Sequence, residues 1–464
     1  MNDASLSRHL SPLHVWSLAF GCIIGWGAFM MPGTTFLPTA GTLGTTVAMV
    51  IGALVMVAIA FSYSYMVSRH PKAGGEFVFA RACFGRRHAF VCGWFLALAY
   101  LANVPMNCTA LGLMTRKLFF GVFQFGRLYQ VAGYDIWAGE ILLSLLTLSV
   151  ITFLSVRGVR KSGVFQTIMA FGLATAFVII VVSALFSPVT SWSNLAPLWG
   201  PDATQAVGGA AVCRGVLAIV AVAPWAYVGF ETIPQAVEEF SFSVRKVNGI
   251  MIGAIAFGCV VYSCNNLVTA AASPDWQEFI AKHDWAVGAA VEALMGKPGL
   301  VVLGVAISCA ILTGILGFLT ATSRLLMSMA REGYIPSFFG EVSPRWRTPA
   351  HAILFCFALS AVGPFFGRTA LGWFVDMSAV GAAAGFAYAC AAALKTARGE
   401  SAAMTAVSAL GLVLSLGFVV LLLVPGLPGC LTAPSYAMFA VWLAIGGVFY
   451  VSRRGKIGEE MRND

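Results

Sequence analysis

The sequence predicts an all-α polytopic membrane protein with about twelve transmembrane helices. Of its 464 residues, 59% are hydrophobic and only 10% are charged, and the mean hydropathy is +0.86. Soluble domains carry about 25% charged residues. Apolar runs of roughly 18–25 residues are long enough to cross a bilayer as helices. The chain contains twelve such runs, near residues 13–36, 43–67, 90–115, 137–156, 164–187, 210–237, 247–271, 299–328, 350–366, 371–394, 402–424 and 434–452.

Basic residues predict the orientation of these spans. If the N-terminus is cytoplasmic, the inner segments hold 21 of the 28 Lys and Arg residues, as the positive-inside rule requires. One outer segment, residues 116–136, runs against this bias because it carries Arg116, Lys117 and Arg127. The placement accounts for the formal net charge of +9 without a nucleic-acid partner. We expect an integral protein of a bacterial inner or plasma membrane, with both termini in the cytoplasm.

Cysteine and histidine spacing argues against a metal site or a disulfide framework. The 11 cysteines lie mostly inside apolar runs and form no CxxC pair. Such cysteines act as small apolar fillers. The six histidines lie mostly in loops and at span ends. We therefore expect no metal, no cofactor and no enzymatic activity.

The first span is predicted to be a broken helix. Residues 21–33 contain four glycines and a proline, which are poor helix formers. Inside lipid, a broken helix survives only where it is buried in protein or lines a cavity. We expect the break at Gly25, Trp26 and Gly27, where the freed backbone groups would form part of a binding site. The alternative is that Gly21 and Gly25 form a GxxxG packing face.

The sixth span carries a second predicted break. It contains Pro224, Gly229, Glu231 and Pro234 at what should be mid-membrane depth. Proline removes a backbone donor and clashes with the preceding turn. A carboxylate at that depth costs roughly 2.5–3.5 kcal/mol. Glu231 is therefore a functional candidate, and the alternative is a protonated or hydrogen-bonded structural residue between helices.

The two breaks occupy matching positions in two consecutive sets of five spans. Because each set contains an odd number of spans, the second set begins on the opposite side of the membrane and has the opposite orientation. Paired interrupted helices in two such sets point to a transporter site. The predicted division is a cytoplasmic N-terminus (1–12), repeat one (13–187), repeat two (188–396), spans eleven and twelve (397–452) and a cytoplasmic tail (453–464).

Four stretches, in order along residues 15–350, resemble signatures of the amino acid–polyamine–organocation (APC) superfamily. The first is Gly21-x-x-Ile24-Gly25-x-Gly27-x-Phe29-x-x-Pro32-Gly33, and the others are residues 71–77, 225–231 and 323–336, the last followed by Thr348-Pro349. The resemblance implies the leucine-transporter (LeuT)-type fold, a five-plus-five inverted repeat with two extra C-terminal helices. It also implies a zwitterionic amino acid or a related amine as substrate.

The resemblance places the substrate at the two breaks. The carboxylate would meet the start of the outer half of span one, because half-helix N-termini favour anions. The ammonium would meet backbone carbonyls at half-helix C-termini. The implied substrate-binding residues are Cys22, Ile23, Gly25, Trp26, Gly27, Asn103, Trp225, Ala226, Val228 and Gly229.

Trp225 and Trp26 are the predicted gating residues. Trp225 matches the aromatic lid of the family, and the alternative for it is a core tryptophan. Trp26 stands where many members have a small residue, so its indole would fill space or cover the substrate, or else point into neighbouring helices.

Three further polar residues lie inside spans. Asn103 matches a side-chain substrate contact of arginine/agmatine exchangers, and a helix–helix hydrogen bond is the alternative. Asp376 in span ten is expected either to pair with Arg214 or to face an aqueous vestibule. Glu140, at the outer end of span four, is expected to be interfacial.

Ion coupling is predicted from a few positions. Glu231 matches a carboxylate implicated in proton sensitivity in the exchangers and is the proton-coupling candidate. Leu173 stands where several proton-coupled members have a lysine, so a lysine-based scheme is not expected. Thr320, Thr322 and Ser323 are weak sodium-site candidates, with packing inside span eight as the alternative.

The predicted function is secondary active transport of amino acids or related amines by alternating access, as an exchanger (antiporter) or with proton coupling. The expected partners are the small-molecule substrate and the lipid bilayer, with no nucleic acid. The alternative is a transport-dead amino acid sensor or a subunit of a larger membrane complex.

Overall fold

The computed structural model describes residues 6–118, 121–131, 133–200 and 209–460. The ends of the predicted N-terminus and tail, residues 1–5 and 461–464, lie outside the described residues. The described chain is mostly helical and has only two short strands, which confirms the predicted fold class. Ten of its helical stretches are long and apolar enough to cross a membrane. One of them, Pro12–Arg69, contains both the first and the second predicted span, and the ninth predicted span is a shorter apolar helical stretch, Ala350–Phe366.

Each predicted span corresponds to helix in the structure. Spans one and six are interrupted, span one comprising Pro12–Ile23, Gly27–Met31 and the π-helical turn Pro32–Phe36, and span six comprising Gly209–Val220, Ala223–Ala226 and Thr232–Gln235. The other spans are Leu37–Arg69 (two), Arg86–Leu118 (three), Ala138–Arg157 (four), Val159–Phe186 (five), Val247–Ala271 (seven), Lys297–Arg331 (eight), Ala350–Ser360 (nine), Thr369–Ala397 (ten), Ala402–Leu423 (eleven) and Ala433–Glu460 (twelve).

Residue conformation explains where several of these helices begin or turn. Span one begins with a capping box, in which Ser11 and His14 each accept from the backbone N–H of the other residue, and Pro12 occupies the first helical position. The helix Leu37–Arg69 is kinked at Gly41, whose φ of 72° suits glycine alone. This kink separates the outer end of span one from the body of span two.

The segments between spans contain short elements of their own. Two antiparallel strands, β1 (Arg127–Val131) and β2 (Tyr134–Trp137), pair in the predicted outer segment that carries excess basic charge. Its Arg127 forms an ion pair with Asp135 at 2.7 Å. Short helices occur at Glu76–Phe84, Trp276–Lys282 and Ala286–Met295, and 3-10 turns at Trp192–Leu195, Val237–Glu239, Val244–Lys246, Ser337–Gly340 and Gly363–Phe366.

Burial separates the centre of the bundle from its rim. In the most apolar window of spans three and ten, 78% and 72% of the residues are buried, against 28% and 17% in spans eleven and twelve. Spans one, six and eight contribute fully buried residues such as Phe20, Phe230 and Leu319 to the same core. The broken stretches of both helices are therefore enclosed by protein, the environment in which a helix break can exist inside lipid.

Candidate functional site at two facing helix breaks

Span one leaves the helical conformation between Ile23 and Gly27. Ile24 is extended, with φ −94° and ψ 92°, and the helix resumes at Gly27. A break leaves the last carbonyls of the first helix without helical donors. The Tyr262 hydroxyl from span seven donates to one of them, the Ile23 carbonyl, at 3.2 Å. The break falls in the glycine-rich stretch where the sequence predicts it.

Close helix packing occurs beside this break. A side-chain carbon at Gly21 would lie 2.5 Å from Cβ of Thr313 and 2.7 Å from Nε2 of Gln166. Gly21 therefore allows spans five and eight to approach span one. The two interpretations of the glycine pair are compatible, because Gly21 serves packing while Gly25 lies in the break.

Span six leaves the helical conformation around Gly229. Its φ of 141° is a conformation that side-chain-bearing residues rarely adopt. The Gly229 N–H donates to Glu231 Oε2 at 2.8 Å, and its carbonyl accepts from the Thr232 hydroxyl at 2.5 Å. These two side chains satisfy backbone groups that the break removes from the helix. Glu231 is fully buried and stabilises the break locally.

The two breaks face each other. A side-chain carbon at Gly229 would lie 2.7 Å from Cβ of Cys22 and 2.8 Å from the amide nitrogen of Ile23. At the next turn, Gly27 lies directly against the indole of Trp225. Glycine on each side thus lets the interrupted backbones of spans one and six come together.

Two side chains from other elements satisfy carbonyls in the outer half of span one. Pro32 has no N–H to donate to the carbonyl of Ala28, four residues earlier. Asn265 of span seven donates to that carbonyl instead, at 2.9 Å. The Trp285 indole donates to the neighbouring carbonyl of Phe29 at 2.9 Å. Nothing in the sequence distinguishes Asn265 or Trp285, although Pro32 signals that a donor is needed.

A vestibule of ≈820 Å³ lies on the side that the sequence predicts to be outside, and Trp26 is one of its lining residues. The Trp26 and Trp225 ring centroids are 6.4 Å apart, with the ring planes inclined at 58°. Both indoles are buried, with 7% and 4% exposure. Trp26 therefore borders the vestibule while also packing in the core, and Trp225 packs against Gly27.

Charged residues line this vestibule. The Asp376 carboxylate accepts from the Ser435 hydroxyl at 2.6 Å and faces the vestibule, the second of its two expected positions. Arg368 and Arg116 line the same cavity. Arg116 also donates twice to Glu140, at 2.5 and 2.7 Å, so the acid predicted to be interfacial is buried in an ion pair.

Asn103 connects spans three and ten. Its amide donates to the Ala99 carbonyl at 2.8 Å and to the Ser378 hydroxyl at 2.7 Å. These contacts correspond to the helix–helix alternative for this residue. One turn further along the same face, Asn107 reaches the break in span one, and sequence analysis did not identify it. The i, i+4 spacing of two asparagines in an apolar helix was the available signal.

A buried polar cluster lies on the side of the breaks that the sequence predicts to be inside. Glu76 is fully buried, and its carboxylate accepts from Tyr63 at 2.5 Å and from Gln235 at 2.9 Å. Gln235 also contacts the Tyr100 hydroxyl at 3.4 Å, which in turn donates to the Glu231 carbonyl at 3.4 Å. Burial raises the pKa of the Glu76 carboxyl to about 7.

Chain pairing and a buried ion pair close the end of the bundle that the sequence predicts to be inside. The Leu10 N–H donates to the Glu239 carbonyl, and the Ser241 N–H donates to the Leu10 carbonyl, each at 2.9 Å. Arg324 of span eight donates to the Glu239 carboxylate at 2.8 Å and to the Ser323 hydroxyl at 2.9 Å. The chain preceding span one is thereby attached to the segment following span six.

The weak sodium-site candidates bond within their own helix. Thr320, Thr322 and Ser323 each donate to a carbonyl three or four residues earlier, at 2.8, 2.6 and 2.9 Å. In span eight, the hydroxyl that reaches a span-one carbonyl belongs to Thr313, 3.2 Å from the oxygen of Gly21. Across the described residues, no group of three or more His, Cys, Asp or Glu could hold a metal ion.

The remaining predicted site residues lie at the breaks. Ala226 donates its N–H to the Val222 carbonyl at 2.9 Å, and Val228 donates to the Trp225 carbonyl at 3.2 Å. Cys22 is buried between span eight and Gly229. The structure thus brings nine of the ten predicted residues to the two breaks, with Asn103 one helical turn away from the Asn107 contact. Their role in substrate binding stays a prediction.

The fold and the site together define a class: a polytopic α-helical membrane protein in which two interrupted helices meet below a vestibule. Residues 10–449 match the family described as Amino acid permease, and the chain belongs to that family.

Similar proteins come from plants and bacteria. Cationic amino acid transporter 4, vacuolar, of Arabidopsis thaliana is 27% identical, over 78% of this chain and 59% of its own length. The methylthioribose transporter of Bacillus subtilis (strain 168) is 26% identical, over 74% and 72%. The branched-chain amino acid permease BcaP of the same organism is 24% identical, over 78% and 75%. The match spans less than two thirds of the Arabidopsis protein.

Proposed function

We propose that this chain is a secondary active transporter of amino acids or related amines that works by alternating access. The observation that carries the proposal is the direct contact of Gly229 with Cys22 and Ile23, which joins two helix breaks inside the bundle. Interrupted helices that meet in this way offer unpaired backbone groups to a substrate. Membership of the Amino acid permease family supports the same conclusion.

The proposed binding chemistry follows from backbone polarity. The N–H groups at the start of the helix beginning at Gly27 favour a carboxylate. The carbonyls at the end of the helix finishing at Ile23 favour an ammonium. Trp26 and Trp225 are the proposed gate on the vestibule side. A zwitterion would lie across the break, with one charged group at each half-helix.

The arrangement of open and closed surfaces supports alternating access. The vestibule reaches Trp26 from the predicted outer side, while the Arg324–Glu239 ion pair and the Leu10 pairing close the inner side. Inward opening would require these inner contacts to separate and the vestibule to close. We propose that the two predicted repeats, 13–187 and 188–396, move against each other in this step, with both termini in the cytoplasm of a bacterial cell.

Coupling is proposed to be exchange or proton symport, with Glu231 as the proton-binding candidate. Its carboxylate holds the Gly229 N–H across the break. Protonation would remove the negative charge that attracts this N–H and so loosen the conformation of span six. Substrate binding and proton binding would then act on the same backbone segment.

The function is tested by reconstituting the protein into liposomes with radiolabelled substrates. The panel should contain cationic, branched-chain and small neutral amino acids, agmatine and methylthioribose, because the named relatives differ in substrate. Uptake is measured with and without internal substrate and with pH or sodium gradients. Saturable uptake of a panel member supports transport, and failure of every member to bind or move overturns it.

Two variants and their controls connect uptake to the site. Glu231→Gln should reduce uptake at least about tenfold, because it removes a charge-assisted contact to the Gly229 N–H. Trp225→Ala should reduce uptake by a similar factor, because it removes the indole that packs against Gly27 and Trp26. Trp192→Ala and Glu292→Gln change exposed residues of the same type and should leave uptake unchanged. Binding without uptake or exchange would favour the sensor or subunit alternative.

A further inference from the structure

Asn107 carries a buried acceptor that faces the break in span one. The residue is 2% exposed, and its Nδ2 donates to the Asn103 carbonyl at 2.8 Å. Its Oδ1 is buried without a hydrogen-bond partner among the described residues. An unsatisfied buried acceptor is unfavourable. Its position therefore indicates a partner that is not part of the chain.

The orientation of the amide is set by its neighbours. A carbonyl oxygen cannot donate, so the Asn103 carbonyl can only accept from the NH₂ group of Asn107. This contact assigns the nitrogen to the Asn103 side and directs the oxygen away from it. Asn103 itself is held by the Ser378 hydroxyl of span ten at 2.7 Å. The chain Ser378–Asn103–Asn107 thus presents one oxygen in a fixed direction.

Glycines make room for the amide on two sides. A side-chain carbon at Gly25, in the break of span one, would lie 3.7 Å from Oδ1 of Asn107. A side-chain carbon at Gly314 of span eight would lie 3.0 Å from its Nδ2. The same carbon at Gly314 would lie 3.2 Å from Oδ1, so the amide oxygen lies between span eight and the break of span one, next to Gly25.

We propose that Asn107 Oδ1 binds the amino group of the substrate and selects substrates that carry an ammonium or amine. The inference rests on the proposed function and adds to it a side chain that recognises the amino group of the substrate. An acceptor without a hydrogen of its own attracts an N–H donor and repels a carboxylate. The carbonyl ends of the half-helix finishing at Ile23 have the same polarity, so the ammonium meets acceptors from both sides.

The test compares an amino acid with its 2-hydroxy analogue, which has the same side chain and carboxylate but lacks the amino group. Dissociation constants for both are measured on the full-length protein in detergent, using the best substrate of the transport panel. Asn107→Leu should reduce the preference of the wild type for the amino acid by at least about tenfold. Asn194→Leu, at a remote buried asparagine whose amide also donates to a carbonyl, should leave the preference unchanged.

A second variant separates recognition from packing. Asn107→Asp keeps an acceptor oxygen but loses the donor to the Asn103 carbonyl, so it should retain the preference. Loss of the preference in Asn107→Asp, or an unchanged preference in a folded Asn107→Leu protein, would overturn the proposal. If Asn107→Leu does not fold, loss of the preference in Asn107→Asp still overturns the proposal. A wild type that binds no panel member refutes the proposed function itself, whereas binding with an unchanged preference refutes only this assignment.

Discussion

Gly229 of span six lies against Cys22 of span one so closely that no side-chain carbon fits between them. A Cβ at Gly229 would approach Cβ of Cys22 to 2.7 Å and the carbonyl of Ala19 to 3.0 Å. The left-handed φ of 141° at the same residue adds a second requirement for glycine. One position therefore determines both the shape of the second break and its distance from the first.

Gly229→Ala should strongly reduce transport. The methyl group must displace the backbone of span one or force Gly229 into another conformation, and strained backbone of this kind costs about 1–3 kcal/mol. We expect uptake to fall at least tenfold in liposomes. Gly249→Ala is the matched control, because a side-chain carbon there meets nothing within 4 Å and alanine is favourable inside a helix. Equal uptake by both variants would refute the role assigned to Gly229.

The contact between Asn265 and Ala28 predicts a coupling between two substitutions. Asn265→Leu leaves the Ala28 carbonyl without its donor, which should reduce the free energy of unfolding by about 1–3 kcal/mol. Pro32→Ala restores an N–H four residues after Ala28. In the Pro32→Ala background, the cost of Asn265→Leu should therefore shrink.

Thermal unfolding of the four proteins in detergent measures this coupling as a double-mutant cycle. Asn194→Leu in both backgrounds is the control, since the Asn194 amide donates to the Ala271 carbonyl of span seven and not to the Ala28 carbonyl that Pro32 leaves without a donor. Additive effects of Asn265→Leu and Pro32→Ala would show that the proline is not the reason for the contact.

The sequence predicted the breaks because their causes are local. Glycines and prolines inside apolar runs identified Gly25 and Gly229, and an acid at mid-membrane depth identified Glu231. A membrane helix tolerates each of these residue types only where protein or a cavity surrounds it. The span count and the fold class were predictable for the same reason, because hydropathy depends only on the residues within each short stretch.

The partners of the breaks could not be predicted, because they depend on which helices pack together. Asn265 and Trp285 are distant in sequence from the carbonyls they satisfy, and nothing in their own segments distinguishes them. Glu76 lies in a loop-like stretch between spans, yet the structure buries it completely between Tyr63 and Gln235. Burial of this kind is a property of the tertiary fold, so hydropathy does not detect it.

Glu76 should make the protein less stable as pH rises. Its pKa of about 7 exceeds the ordinary value of 4.5 because burial disfavours the charged form. Below pH 4.5 the folded and unfolded states are both protonated. Between 4.5 and about 7 the folded state binds more protons, so stability falls with rising pH and the full cost is reached above 7. The difference corresponds to about 3 kcal/mol.

Glu76→Gln removes this titration. Its melting temperature in detergent should change less between pH 5 and pH 8.5 than that of the wild type, and at pH 8.5 it should exceed the wild-type value. Gln235 can adapt to the new amide, because its own oxygen has no hydrogen-bond partner among the described residues. Glu292→Gln, at an exposed acid, should retain the wild-type pH dependence. Identical pH profiles for Glu76→Gln and the wild type would contradict the prediction.

The Arg324–Glu239 ion pair should be costly to break from one side and much less costly to replace as a whole. The two side chains are 3% and 0% exposed, and their charged atoms are 2.8 Å apart. Arg324→Met leaves a buried carboxylate without its cation, which should destabilise the protein by about 3–5 kcal/mol. Adding Glu239→Leu removes that stranded charge. The double variant should therefore be more stable than the single one.

Thermal unfolding in detergent ranks the stability of the wild type and the two variants. Uptake into liposomes then shows whether the ion pair also affects transport. Lys282→Met is the control, because it breaks an exposed pair with Glu278 and should change stability by at most about 0.5 kcal/mol. The pair also joins span eight to the segment after span six, on the closed side that the sequence predicts to be inside. If the Arg324–Glu239 ion pair holds this side of the bundle closed, the double variant should be stable yet show altered uptake. A double variant no more stable than Arg324→Met would mean that the pair contributes through packing and not through its charges.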